Sequence, residues 1–382
     1  MLFRIKKIFK NIFNAQKEGR EPDYFLIITV FIIIFFGLIM LSSATSATAY
    51  ADWHDSYYYF KHQLIFGLLP GILLFFALSR IDYHIWRKYA LLMLITSVVL
   101  LLLVFIPGLS AEYGKARSWI NIFGFSLQPS EFVKISFLLY LAAWLESRKE
   151  RVKDIKEGIG PFLVVLGIIA GLMFLQPDIG TFSIITFTSL VIFFVGGGRL
   201  RHLAVILLIG SALLFFVVKT KPHVGERFKC FYDSGFSQNA KCYQINQSLI
   251  ALGSGGFWGR GLGESRQKFM YVPEIEGDSI FAIIGEEMGF IFSSALVFMY
   301  LIIFYRGFLI AAKAPDVYGK ILAIGIVTWL SSQALINIGG MINLIPMTGV
   351  PLPFVSYGGS ALLSALGAVG ILVNISRQTR NL

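Results

Sequence analysis

Apolar runs of about twenty residues recur along the whole chain, separated by short segments rich in charge, glycine and proline. At about 1.5 Å of rise per residue, each run can cross a hydrocarbon core of about 30 Å as a helix. The runs fall near 24–43, 62–79, 86–106, 129–145, 160–176, 179–196, 202–219, 279–304, 320–345 and 356–375. They predict an all-α polytopic membrane protein of about ten transmembrane helices, with one large extracytoplasmic loop, 220–277, between spans 7 and 8.

Composition agrees with that pattern. Hydrophobic residues make up 56% and charged residues 14%, against roughly 25% charged in a soluble domain. The net charge of +11 could suggest nucleic acid, but Lys and Arg sit in short segments between the apolar runs, so topology explains them and no nucleic-acid partner is expected. Arg4, Lys6, Lys7, Lys10, Lys17 and Arg20 precede the first span, and Arg80, Arg87, Lys88, Arg148, Lys149 and Arg151 flank later ones. By the positive-inside rule both termini are cytoplasmic. Residues 1–23 form a basic cytoplasmic segment, 24–376 the membrane domain and 377–382 a cytoplasmic tail. The segment LFRIKKIFKNIF reads either as a basic amphipathic helix on the inner leaflet lipids or as a solvated tail.

The long loop departs from the charge rule. It or its edge carries Lys219, Lys221, Arg227, Lys229, Lys241, Arg260, Arg266 and Lys268, which suits an anionic ligand or outer-leaflet headgroups. Its GSGGFWGRGLG stretch lacks the Lys-Ser/Thr pair of a nucleotide loop, so its glycines are read as tight turns or surface re-entry beside Phe257 and Trp258. No Cys/His cluster has zinc spacing.

Charges within or at the ends of spans are the candidates for chemistry. Arg117 and Trp119 precede the fourth span, and Glu131 and Lys134 share one face of it. Pro129 and Glu131 also suit a helix start, which leaves Lys134 in need of a partner. Asp178 in QPDIGT reads as an N-cap or as a functional carboxylate. In YVPEIEGDSIFAIIGEEMG, Asp278 stands at the mouth of the eighth span and Glu286 within it, about 12 Å further along the axis. The stretch NLIPMTGVPLPFVSYGGS, which includes Ser356, is too rich in proline to be helix and predicts an outside loop or a re-entrant turn that helps wall the same outer site. A carboxylate, basic groups and irregular backbone together suit base-assisted transfer from an anionic phosphate donor, or else a transporter's proton or ion relay.

The stretches KARSWINIFGFSLQPSEFVK, QPDIGT, YQINQSLIALGSGGFWGRGLGES, GDSIFAIIGEEMG and INLIPMTGVPLPFVSYGGS, in this order, resemble the SEDS family (shape, elongation, division and sporulation) of FtsW, RodA and SpoVE. SWIN and the basic N-terminal extension lean towards its FtsW-like members.

The resemblance implies a peptidoglycan glycosyltransferase that polymerises lipid II at the outer face of the cytoplasmic membrane, for division or elongation. The family's essential loop aspartate falls on Asp278, as general base. Arg117, Trp119, Glu131, Lys134 and Asp178 match other residues important in the family; Arg227, Lys268, Glu286 and Ser356 join them as candidates for binding substrate. The implied partners are lipid II, a class B penicillin-binding protein transpeptidase and divisome or elongasome proteins. No cofactor is required, although the outer carboxylates permit a divalent cation, Mg or Mn. Around Asp278 the chain departs from the family, with Glu276, Gly277 and Ser279 where many relatives have His, Thr and Phe. Cys230 and Cys242 lie outside the family pattern; paired, they would stabilise the loop by about 3 kcal/mol, and the alternative is two free thiols.

Overall fold

The computed structural model describes residues 21–106, 110–113, 116–122, 125–176, 178–220, 222–233 and 242–379. The proposed N-terminal amphipathic helix, Lys221 and Lys241 lie outside them.

Helix α1 (Tyr24–Ala44) opens the bundle, capped by the Asp23 carboxylate, which accepts from Leu26 N–H at 3.0 Å. Short α2 (Ser46–Trp53) leads to α3 (Tyr58–Arg80), which contains a π-helical turn over Gln63–Leu68. After α4 (His84–Leu103) come three antiparallel strands, β1 (Ser110–Tyr113), β2 (Ala116–Ile122) and β3 (Phe125–Leu127), in that order across the sheet. The helical architecture holds, with this one local addition: the SWIN stretch is short, β-branched and aromatic, and pairs as a ribbon between α4 and α5. Then follow α5 (Pro129–Arg148), α6 (Gly160–Leu175), α7 (Ile179–Val195) and α8 (Leu200–Thr220).

The long connection is itself largely helical, with α9 (Pro222–Tyr232) and α10 (Tyr243–Gly255). Helices α11 (Ile280–Ala312), α12 (Val317–Met341) and α13 (Gly359–Gln378) complete the fold.

All ten predicted runs overlap a helix, and seven helices among the described residues are long and apolar enough to cross a membrane. Of the other three, α7 is shorter, at 17 residues, and α5 carries Glu131, Lys134 and Glu146; α8 spans 21 residues, Leu200–Thr220. The eighth run is not one continuous helix either. Gly289 (φ 73°, ψ −174°) breaks α11, so Glu286 and Glu287 lie on a short segment before the break rather than within a straight span.

Helices α12 and α13 form the centre of the bundle, 78% and 89% buried over their most apolar windows, while α4 turns Leu91, Leu92, Ile95 and Val99 outward. Without water to drive helices together, close backbone approach does so. A Cβ on Gly370 of α13 would stand 2.8 Å from the Phe75 carbonyl of α3.

The proline-rich segment between α12 and α13 tucks inward, as a re-entrant turn rather than an outside loop. Leu352, Phe354 and Val355 are buried, and Gly37 of α1 and Gly180 of α7 leave room for its backbone: a Cβ on either would come within 2.8 Å of the Phe354 or Thr348 carbonyl. At the opposite end of the bundle Arg306 of α11 pairs with Asp23 at 2.7 Å, and Asp23 N–H donates to Ser376 Oγ of α13.

Candidate functional site

Asp278 sits on a turn rather than on a helix. The Glu274 carbonyl accepts from both Gly277 N–H and Ser279 N–H at 3.1 Å, which closes the turn and delivers residue 278 just ahead of α11. Helix α11 begins only at Ile280, with Ser279 at its N-cap. The Asp278 carboxylate instead accepts through Oδ1 from Gln244 Nε2 of α10 (3.1 Å) and from Ser279 Oγ (3.3 Å). Its backbone carbonyl accepts from Asn337 Nδ2 of α12 at 2.8 Å, and the same amide donates to Val350 O. Asn337 thereby ties the Asp278 turn to the proline-rich segment. Tyr357 N–H donates to Glu276 O and makes a second tie.

Oδ2 faces Arg227 of α9 across Gly349. A Cβ at Gly349 would stand 3.4 Å from the Arg227 guanidinium and 3.7 Å from Asp278 Oδ2. Asp278 is only 8% exposed, and that burial pushes its carboxyl up to about 6; Arg227 pulls the other way, and Glu274 adds to the rise. A carboxylate poised near neutrality beside a cation and an irregular backbone wall can accept a proton while the cation offsets negative charge.

The other candidates fall into two groups of contacts. Below the proline-rich segment, Lys134 Nζ finds its partner in Glu131 Oε1 (2.8 Å) and also donates to Gln333 Oε1 (2.9 Å), 4.8 Å from the Trp329 ring. Glu131 accepts in addition from Ser364 Oγ. Gln333 Nε2 donates to Pro351 O, so this buried pair supports the segment that walls Asp278. Asp178 does act as a cap, accepting from Thr181 N–H at 3.0 Å, and lies near Ser130 Oγ at 3.4 Å. A small cavity with room for about one water opens between Glu131, Gln333 and Ser356. Ser356 itself is a loop pin: its Oγ accepts from Leu352 N–H, and its carbonyl accepts from Gln63 Nε2.

The second group does not converge on Asp278. Glu286 accepts from Ser265 Oγ and from the N–H groups of Arg266 and Gln267. Lys268 donates to Gly263 O and pairs with Glu287 at 3.1 Å; Glu287 also accepts from Ser43 Oγ of α1. Glu286 is thereby part of a buried knot that fastens the loop to α11, where the segment before the bend at Gly289 packs against residues 256–268. The glycine run has a backbone reason as well. A Cβ on Gly259 would lie 2.1 Å from Glu287 O, and Arg260 and Gly261 N–H donate to Glu286 O and Glu287 O. Trp119 is half-buried on β2, opposite Ala111. The Arg117 side chain lies outside the described residues.

The cysteines form a disulfide, Cys230–Cys242, which joins the end of α9 to the start of α10. Among the described residues no group of three or more His, Cys, Asp or Glu could hold a metal ion. Gln244, Asn337, Gln333 and Gln63 hydrogen-bond within and around this candidate site and carried no role in the sequence reading. The available signal was a neutral amide in an apolar helix, which in a membrane needs a buried partner.

Bundle and site together define a multi-pass membrane protein with a buried carboxylate held opposite a guanidinium. The sequence profile of the cell cycle protein family of FtsW, RodA and SpoVE matches residues 23–381. The chain belongs to that family. It is 38% identical over 360 residues to stage V sporulation protein E of Bacillus subtilis (strain 168), covering 94% of this chain and 98% of that protein. To a probable peptidoglycan glycosyltransferase FtsW of Trichlorobacter lovleyi it is 40% identical, covering 93% of each. Among solved structures, a chain from work on how a peptidoglycan synthase complex coordinates polymerization and crosslinking superposes with a TM-score of 0.75 at 26% identity, covering 93% of this chain and 98% of that one. The rod shape determining protein RodA of Thermus thermophilus does so at 0.67 and 25%, covering 94% and 98%.

Proposed function

We propose that this protein is a peptidoglycan glycosyltransferase that polymerises lipid II at the outer face of the bacterial cytoplasmic membrane, with both termini inside. The observation that carries the reading is the buried Asp278 carboxylate, held on a hydrogen-bonded turn opposite Arg227. Asp278 takes the proton of the acceptor sugar 4-hydroxyl, whose oxygen forms a bond to the donor's anomeric carbon. The bond from that carbon to undecaprenyl pyrophosphate breaks with inversion, and the leaving group departs with the electron pair while Arg227 offsets its charge. Names given to relatives support this class of reaction. A class B penicillin-binding protein and other divisome or elongasome proteins are the partners of the reading, by analogy with the neighbour studied in a synthase complex. Glu131, Lys134 and Asp178 then serve the site from beneath, by holding the proline-rich wall and the start of α7, while Arg117 and Trp119 contact substrate.

A lipid-linked flippase is the second reading, favoured by the buried Glu131–Lys134 pair. Gel analysis of products from purified protein and lipid II, with and without the cognate penicillin-binding protein, separates the two. Glycan strands should form with the wild-type protein and disappear with Asp278→Asn at unchanged expression. Full polymerisation by that variant sinks the assignment, and translocation that needs Lys134 but tolerates Asp278→Asn supports the flippase.

A further inference from the structure

Two helices of the long connection each contribute one side chain to Asp278, and a covalent bond joins them close to those side chains. Arg227 lies on α9 three residues before Cys230, and Gln244 lies on α10 two residues after Cys242. Both ends of the bridge are therefore within one helical turn of a group that meets the carboxylate. The two carboxylate oxygens are not equivalent. Oδ1 is occupied by Gln244 Nε2 and Ser279 Oγ, whereas Oδ2 faces Arg227 and Gly349. Gln244 Nε2 also donates to Ser279 Oγ at 3.0 Å, so one amide fixes both the carboxylate and its neighbouring hydroxyl.

We propose that Gln244, held in register by the Cys230–Cys242 disulfide, is a positioning residue that occupies Oδ1 of Asp278 and leaves Oδ2 as the oxygen that receives the substrate proton. The inference rests on the reading of Asp278 as general base. A neutral amide donor suits this role because it orients the carboxylate and stabilises its charged form without the full charge of a lysine, which would lower its basicity further. The charged groups facing Asp278 are Arg227 from α9 and Glu274 from its own turn; α10 presents the amide of Gln244 and α12 the amide of Asn337. Loss of Gln244 thus removes a donor to the charged form and leaves Arg227 and Glu274 in place. Reduction of the disulfide instead frees α9 and α10 to separate, which loosens Arg227 and Gln244 together.

The test is lipid II polymerisation by the full-length protein in detergent or nanodiscs, measured as kcat and KM from pH 5 to 9. The set comprises wild type, Gln244→Ala, Gln244→Glu, Asp278→Asn, and wild type after treatment with a membrane-impermeant phosphine. Gln244→Ala should lower kcat about tenfold or more with KM changed less than about threefold, and should move the acid limb up by about one pH unit, since a hydrogen bond to a charged group is lost. Gln244→Glu should move the limb further in the same direction, because it places a like charge beside Asp278. Reduction of the folded wild type should shift the limb the same way and be reversed on reoxidation, a readout that does not depend on a variant folding. A fall in kcat with the acid limb unmoved in both Gln244 variants overturns the proposal, as does an unchanged profile after complete reduction. Activity retained by Asp278→Asn overturns the base reading instead, so the two failures are distinguishable.

Discussion

Lys134→Met removes the charge of a buried pair while keeping most of the side chain's volume. Lys134 and Glu131 are each 2% exposed and lie 2.8 Å apart, and Lys134 also serves Gln333. Breaking such a pair from one side typically costs about 3–5 kcal/mol, because the remaining charge stays buried without compensation. Two donors soften the loss here. Glu131 keeps Ser364 Oγ, and Gln333 Oε1 keeps Trp329 Nε1 at 2.8 Å, so the expected cost is at the lower end, about 3 kcal/mol. Adding Glu131→Gln in the same chain removes the stranded charge and should return about 2 kcal/mol of this, a coupling of the size found between groups in contact. Equilibrium unfolding in mixed micelles, followed by tryptophan fluorescence for wild type, both single variants and the double variant, measures the cycle. A cost below about 1 kcal/mol for Lys134→Met, or single-variant costs that simply add, would refute the view that this pair is a mutually dependent support.

Activity should depend on pH through Asp278. Its carboxyl is raised to about 6 and is needed deprotonated, so polymerisation should be full well above pH 6 and should fall about tenfold per unit below it; a flat profile between pH 5 and 7 contradicts this. Gly349→Ala places a side chain in the left-handed region, at φ 76°, at a cost of about 1–2 kcal/mol, and puts a methyl group against Arg227 and Asp278. Polymerisation by this variant should drop by more than its expression, as compared by product gels and immunoblot. Gly259→Ala has far less room, with Glu287 O 2.1 Å from the new Cβ, so it should unfold the loop knot and lower the yield of folded protein on size-exclusion chromatography.

Helices were readable wherever a side-chain pattern met a solvent constraint. Apolar length located α1, α3, α4, α6 and α13, and Pro129 with Glu131 marked the start of α5. The proline-rich stretch could not be helix, and it is not. Reading failed where backbone met backbone. The break at Gly289 depends on the glycine loop lying against Glu286–Met288, a contact between segments some thirty residues apart that apolar periodicity does not record. The strands at SWIN were missed because a short hairpin between two spans has no run long enough to register.

The same division applies to the site. Sequence by itself determined that this is a membrane protein, which family it belongs to and which carboxylate to suspect, because hydrophobic length and motif order are properties of the chain taken locally. Only the tertiary structure decided that Glu286 and Lys268 fasten a loop while Arg227, Gln244 and Asn337 converge on Asp278. It also decided that Lys134 has its partners on α5 and α12 and that Cys230 and Cys242 are joined. The physical reason is that a buried polar group takes whichever partner the packing of distant helices brings within about 3 Å, and no spacing along one helix specifies that partner.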